Sequence, residues 1–242
     1  MHTRLLYSAI LLFGVSTLCA DDSLAHARQA QAMLGPDVWS QVIRIENATP
    51  RGTYPQTLHA LVFELAGVLW FYTDTDGTQS FSLQRDRLAE EKADFGPLLR
   101  DIDRGFTRWT VVSEADSATA APRGPLPNSC FIRSVAASRA LGDGVEHPRL
   151  LSYYVRNGSM LRGHTVLTYE TRGRLQVFDP DWPHRAKKYP ESLGRDALAL
   201  ALAVRGRDVV RAQLLPLEAS AWPTSNRTMA AAAGGTTHAT QS

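Results

Sequence analysis

The distribution of apolar residues divides the chain into a leader, a strand-rich stretch, a gap of small residues and a second folded stretch. Leu5–Leu18 is an uncharged, largely apolar run, with Arg4 before it and Thr17-Leu18-Cys19-Ala20 leading into Asp21-Asp22. Charge, apolar run and small residues in that order are the layout of a secretory signal, and the run is short for a membrane span. Residues 1–20 are therefore expected to be a cleaved signal peptide, and the mature chain to be periplasmic or secreted. A lipidated Cys19 is the alternative fate of the same leader, disfavoured by the bulk of Leu18 just before it.

Beyond the leader, residues 22–34 have helical spacing, with Asp22 or Ser23 as N-cap and Gly35 as the stop. A strand is expected over 38–46. The apolar, aromatic-rich runs 58–65 and 68–73 flank Ala66-Gly67 and read as a hairpin. The turn Asp74-Thr75-Asp76-Gly77 leads to a third strand at 78–83. A polar helical stretch over 85–94 is broken at Gly96-Pro97 and resumes over 98–102, before a strand at 106–112. Residues 113–128 carry Ser, Ala, Thr and Gly with Pro122, Pro125 and Pro127, the composition of a loop or linker. The second part is expected to hold a helix over 130–141 ended by Gly142, and a helix or turn around 148–155. Strands at 164–170 and 174–178 follow, joined at Thr171-Arg172-Gly173, then a helix over 192–204 and a strand over 209–215. The Ala/Gly/Thr-rich tail, 225–242, is expected to be disordered. The resulting fold class is α+β: a β-rich N-terminal subdomain at 21–112, a loop at 113–128, and at 129–224 a core in which a Cys-bearing helix packs on an antiparallel sheet.

Charge and motif content narrow the function by exclusion. The 26 basic and 24 acidic residues are spread along the chain, with no basic stripe interleaved with aromatics, so nucleic acid is not an expected partner. No Cys/His cluster has zinc spacing and no Gly-rich loop is built to cradle phosphate, so no metal or cofactor is expected. Asp74, Asp76 and Gly77 resemble the start of a calcium loop, but its closing Glu is missing, and a turn is the better reading.

The chemistry gathers on Cys130. The other cysteine, Cys19, lies in the leader, so Cys130 has no internal disulfide partner in the mature chain. An unpaired thiol in an exported protein is retained when it is well buried or chemically useful. Cys130 falls at the first turn of its helix, where free N–H groups and the helix dipole stabilise a thiolate and an oxyanion. His164 follows Gly163, whose missing side chain leaves room for another residue, and Asp179 ends the partner strand before Pro180. In a tight hairpin the start of one strand lies beside the end of the next, so His164 and Asp179 are expected to be neighbours. Nucleophile, base and orienter follow in that order. Singly, each has a plainer reading: a buried cysteine, a structural histidine, a strand-ending Asp-Pro. Asn128 can be a helix cap or an oxyanion donor.

A helix-capping Cys, a "GH" opening a strand and a hairpin ending in "DP" resemble the transglutaminase-like branch of the papain-fold cysteine enzymes. The likeness covers about residues 125–183, with His and Asp 15 residues apart. Arylamine N-acetyltransferases are similar in carrying the same core in the same order. Pro127-Asn128-Ser129 stands where the group has a Gly before its Cys, and the group's upstream Gln or Trp has no counterpart. The resemblance implies a thiolate–imidazolium pair at Cys130 and His164, oriented by Asp179, that acts on an amide or peptide bond through an acyl-thioester. Hydrolysis and transfer to an amine both remain open, with hydrolysis the simpler. The reading from another class is a binding or assembly module whose triad is vestigial.

Overall fold

The computed structural model describes residues 15–48, 54–80, 88–113, 124–183 and 186–217. The fold is α+β, built on two five-stranded antiparallel sheets. Helix α1, Val15–Leu34, precedes β1, Ser40–Asn47; β2, Thr57–Leu65; β3, Val68–Thr73; and β4, Gly77–Ser80. Two short helices, α2 at Leu88–Ala93 and α3 at Gly96–Ile102, lead to β5, Phe106–Val111. The strand order β4-β3-β2-β1-β5 makes the first sheet. Helix α4, Cys130–Leu141, then leads into β6, Glu146–Asn157; β7, Met160–Thr171; β8, Arg174–Phe178; and β9, Lys187–Tyr189. Helix α5, Ala197–Arg205, and β10, Val209–Pro216, complete a second sheet of order β10-β6-β7-β8-β9.

The layers run α3, first sheet, α1 with α4, second sheet, α5. One face of the first sheet buries Ile43, Val62, Leu69 and Phe71 against Phe95, Leu98 and Leu99. Its other face buries Leu61, Phe63, Trp70 and Tyr72 against Ala27, Ala30 and Leu34 of α1 and Phe131, Ile132 and Val135 of α4. Leu150 and Leu167 of the second sheet join that same cluster. The far face of the second sheet covers Leu200 and Ala201 of α5 with Leu151, Tyr153, Val166 and Val177. The N-terminal and C-terminal stretches thus form one sheet each and share the central core. Leu126 is buried there, and the Tyr72 hydroxyl donates to the Pro127 carbonyl at 2.7 Å, so the end of the 113–128 loop is fastened to the first sheet.

Several elements differ from the sequence expectation. Residues 148–155 lie within β6 and are not a helix or turn. This strand lies between β10 and β7, and Leu150, Leu151 and Tyr153 are buried on its two faces. A strand covered on both sides has a continuous apolar run without alternation, which imitates a helix in sequence. The helix expected over 192–204 is split: a 3₁₀ turn spans Glu191–Arg195, and Asp196 caps α5 by accepting from the N–H groups of Leu198 and Ala199. Lys187 and Lys188 form the edge strand β9 with Tyr189; His184 and Arg185 lie outside the described residues. Helix α1 begins at Val15, upstream of the expected start at 22, and so runs through the expected cleavage site after Ala20. Residues 1–14, 81–87 and the tail 225–242 lie outside the described residues. Among the described residues no helix is long and apolar enough to cross a membrane.

Candidate active site

Cys130 is the first residue of α4, as its sequence context predicts, but neither Asn128 nor Ser129 caps that helix through its side chain. The Ser129 hydroxyl donates to the Leu126 carbonyl at 2.6 Å. Asn128 adopts a left-handed conformation, φ 46°, and its side-chain amide donates to the carbonyls of Asp74 and Thr75, both at 2.8 Å. That amide is therefore committed to the β3–β4 turn, and both roles weighed for Asn128, cap and oxyanion donor, give way to a third. It pins the loop that delivers Cys130. The turn fits this purpose. Gly77 has φ +76°, and a Cβ there would sit 2.7 Å from the Asn128 carbonyl oxygen, so the two backbones approach only because position 77 lacks a side chain. Asp74, far from serving a calcium loop, accepts from Nδ1 of His26 on α1 at 2.9 Å.

His164 lies within β7 and does not open it, because β6 pairs with β7 out to Asn157↔Met160. Pairing with β8 begins only at Leu167↔Phe178. Alternation puts His164 on the α5 side of β7, together with its cross-strand partner Tyr153, whereas α4 packs on the other side. The ring still reaches the α4 cysteine because no β8 residue occupies the edge of β7 beyond Leu167. The Cys130 thiol lies near enough to the imidazole to act on its charge. The chain leaving β8 brings Asp179 to the same gap, and its Oδ1 accepts from His164 Nε2 at 3.0 Å. The hairpin turn fixes this juxtaposition: Arg172 and Gly173 both have positive φ, the geometry of a tight two-residue connection. The three residues named from sequence therefore meet.

Electrostatics tie the group together. Burial by itself lowers the basicity of His164, but the hydrogen bond to Asp179, then the bond to Cys130 and the charges of both, outweigh it and raise its pKa to about 10. Burial also disfavours the Asp179 carboxylate, yet the His164 bond, the Asp181 N–H and the charges of His164 and Arg133 hold its pKa below the usual value. The result is an imidazolium held between a carboxylate and a thiol, three-quarters or more of the ring withdrawn from solvent.

Three contributors were not visible in the sequence reading. Arg133, one turn along α4 from Cys130, bonds Asp181 Oδ1 at 2.9 Å and also donates to the Pro180 carbonyl. It thereby straps the chain carrying Asp179 to the helix carrying the thiol. Asp181 stands 3.7 Å from His164 Nδ1, and its N–H donates to Asp179 Oδ1. Tyr153 meets the His164 ring edge-on, centroids 5.6 Å apart, and limits its tilt. The i, i+3 spacing of Cys130 and Arg133 was a legible signal; Tyr153 was legible only once β6 is a strand. His164, Asp179 and Asp181 place one donor atom each within 4.8 Å of one another, close enough for a divalent cation. Their charges, however, are already met by the Arg133 guanidinium and by the imidazolium.

The group opens into a cleft of about 1380 Å³ between β4 and the β6–β7 hairpin. Trp182, 75% exposed, stands on its wall and caps no core. The ring of Tyr154 lies over Gly163, 3.4 Å from where a Cβ would be, so the room left by that glycine is occupied as expected. Trp70, Phe71 and Tyr72 are buried packing residues. Comparison with family models, with curated proteins and with solved structures finds no match.

Proposed function

We propose that this chain is an exported, transglutaminase-like cysteine enzyme of papain type that hydrolyses an amide or peptide bond. One observation carries the reading: a histidine hydrogen-bonded to a carboxylate lines one cleft together with a helix-initial cysteine whose thiol acts on its charge. In this scheme the Cys130 proton resides on His164, and the sulfur attacks the substrate carbonyl carbon. The carbonyl electron pair moves to oxygen, where the N–H groups of the first turn of α4 stabilise the charge; those of Cys130 and Phe131 lie outside the helical ladder. Collapse breaks the C–N bond, and the leaving amine takes the proton from His164. Water then gives a proton to His164 and attacks the thioester, and the acid departs as the sulfur returns to the thiolate. Asp179 holds the imidazole throughout, and Arg133, bonded to Asp181 and the Pro180 carbonyl, holds the chain that carries Asp179. The signal-like order of residues 1–20 supports a reaction in the periplasm or outside the cell. An amine entering in place of water would give acyl transfer.

The test is labelling of the processed protein with a thiol-reactive acyl probe and mapping of the modified peptide. Modification of Cys130 far faster than in the denatured chain supports the reading, with loss of labelling in His164→Ala. A Cys130 that reacts more slowly folded than unfolded overturns it and leaves a binding module with a vestigial triad.

A further inference from the structure

The lip of the cleft formed by the second sheet carries arginines that the fold itself does not use. Arg162 lies on the same side of β7 as His164, two residues along, roughly 7 Å of strand. Arg205, the last residue of α5, lines the same cleft. Both arginines are exposed, and among the described residues neither is bonded to a carboxylate. The other acidic groups of this cleft are largely engaged. Asp179 holds His164 and Asp181 holds Arg133, leaving Asp208 beside Arg205 and Asp76 on the opposite lip. The groove is thus polarised across the reacting thiol, with guanidinium groups on the α5 side and the polar edge strand Gly77–Ser80 on the other. Guanidinium forks bind carboxylates in a paired geometry that a solvated lysine does not offer.

We infer that Arg162 and Arg205 form a carboxylate subsite, so that the preferred substrate is a peptide bearing an acidic group beside the bond attacked. The inference rests on Cys130 being the nucleophile. An acidic side chain on the acyl portion and a free C-terminal carboxylate on the leaving portion share this chemistry.

Two alkylating agents of one size test it on the processed protein: anionic iodoacetate and neutral iodoacetamide. The ratio of their rates at Cys130 is expected to fall about tenfold from wild type to Arg162→Gln/Arg205→Gln at low salt, and the difference to shrink as salt is added. His164 attracts the anion equally in both proteins, so the change isolates the arginines. Chloromethyl ketones of acetyl-Ala-Glu-Ala and acetyl-Ala-Gln-Ala then separate the sources. Faster reaction of the Glu compound places the carboxylate on the acyl side; equal rates with the iodoacetate preference intact place it on the leaving side. A rate ratio that changes by less than about twofold on removing both arginines overturns the subsite while leaving the nucleophile in place. A Cys130 inert to both reagents overturns the catalytic reading and the subsite with it.

Discussion

The two sheets are equal in strand number and opposite in use. In the first, β3 is buried along its whole length and β2 nearly so, and both faces are sealed by helices and loops. In the second, β7 is exposed from Met160 to Gly163, half-buried at His164 and buried from Thr165 to Tyr169. His164 sits at the boundary where burial ends, and so does the end of its neighbour β8. A fully sealed sheet gives rigidity but offers no approach to a substrate. A sheet whose strands end unevenly leaves one edge open, and the proposed site occupies that step. The first sheet contributes by holding the loop: Asn128 on the β3–β4 turn and Tyr72 on Pro127 set where α4 begins.

This contrast is open to direct attack. The largest effect is expected at the open edge: Cys130→Ser or His164→Ala should lower turnover at least about a thousandfold, with the melting temperature of Cys130→Ser held within about 2 °C. Steady-state kinetics beside calorimetry decide this, and a matching fall in melting temperature would show that the open edge is structural. The converse change is Phe71→Ala, on the sealed face remote from α4. It should cost about 3–5 kcal/mol in urea unfolding, while the fraction still folded labels at the wild-type rate.

Next comes the pH dependence. His164 is raised from 6.5 to about 10, so its share of stability is complete below about 6.5 and is lost as pH rises through about 10. The alkaline limb of kcat/KM should lie near the same pH. Asp179→Asn removes the leading cause of the raised value and should move that limb down, most visibly between pH 8 and 10; an unmoved limb would mean that Asp179 does not set the histidine. Asp179 acts with the opposite sign: its share is present above its ordinary value of 3.8 and is lost as pH falls through its lowered pKa.

The smallest effect is at the link between the sheets. Asn128→Ala loses two hydrogen bonds and puts alanine in a left-handed conformation, for about 1–2 kcal/mol and a several-fold slower alkylation of Cys130. Asn128→Gly restores the backbone without the bonds, so a shared slowing in both variants assigns the effect to the pinning contacts; a rate kept by Gly assigns it to backbone strain.

The sequence by itself determined what is local. The Ala66-Gly67 and Arg172-Gly173 turns each set a hairpin, helix α4 starts at Cys130 and stops at Gly142, and the His–Asp proximity follows from a short hairpin alone. These features depend on a few neighbouring residues and on backbone geometry, so a single chain discloses them. Tertiary structure decided whatever depends on distant partners. Strand β6 is hidden in sequence because it pairs with β10, far along the chain, and is buried on both faces. Asn128 looks like a cap until the β3–β4 turn, more than fifty residues earlier, claims its amide. Cys130 and His164 have no sequence relation that makes them touch. They meet because β8 ends short of His164, because Arg133 straps the departing chain to α4, and because the shared core sets α4 between the two sheets. Pleat alternation alone puts His164 on the side away from that helix, and only the gap at the sheet edge lets its ring cross to the thiol.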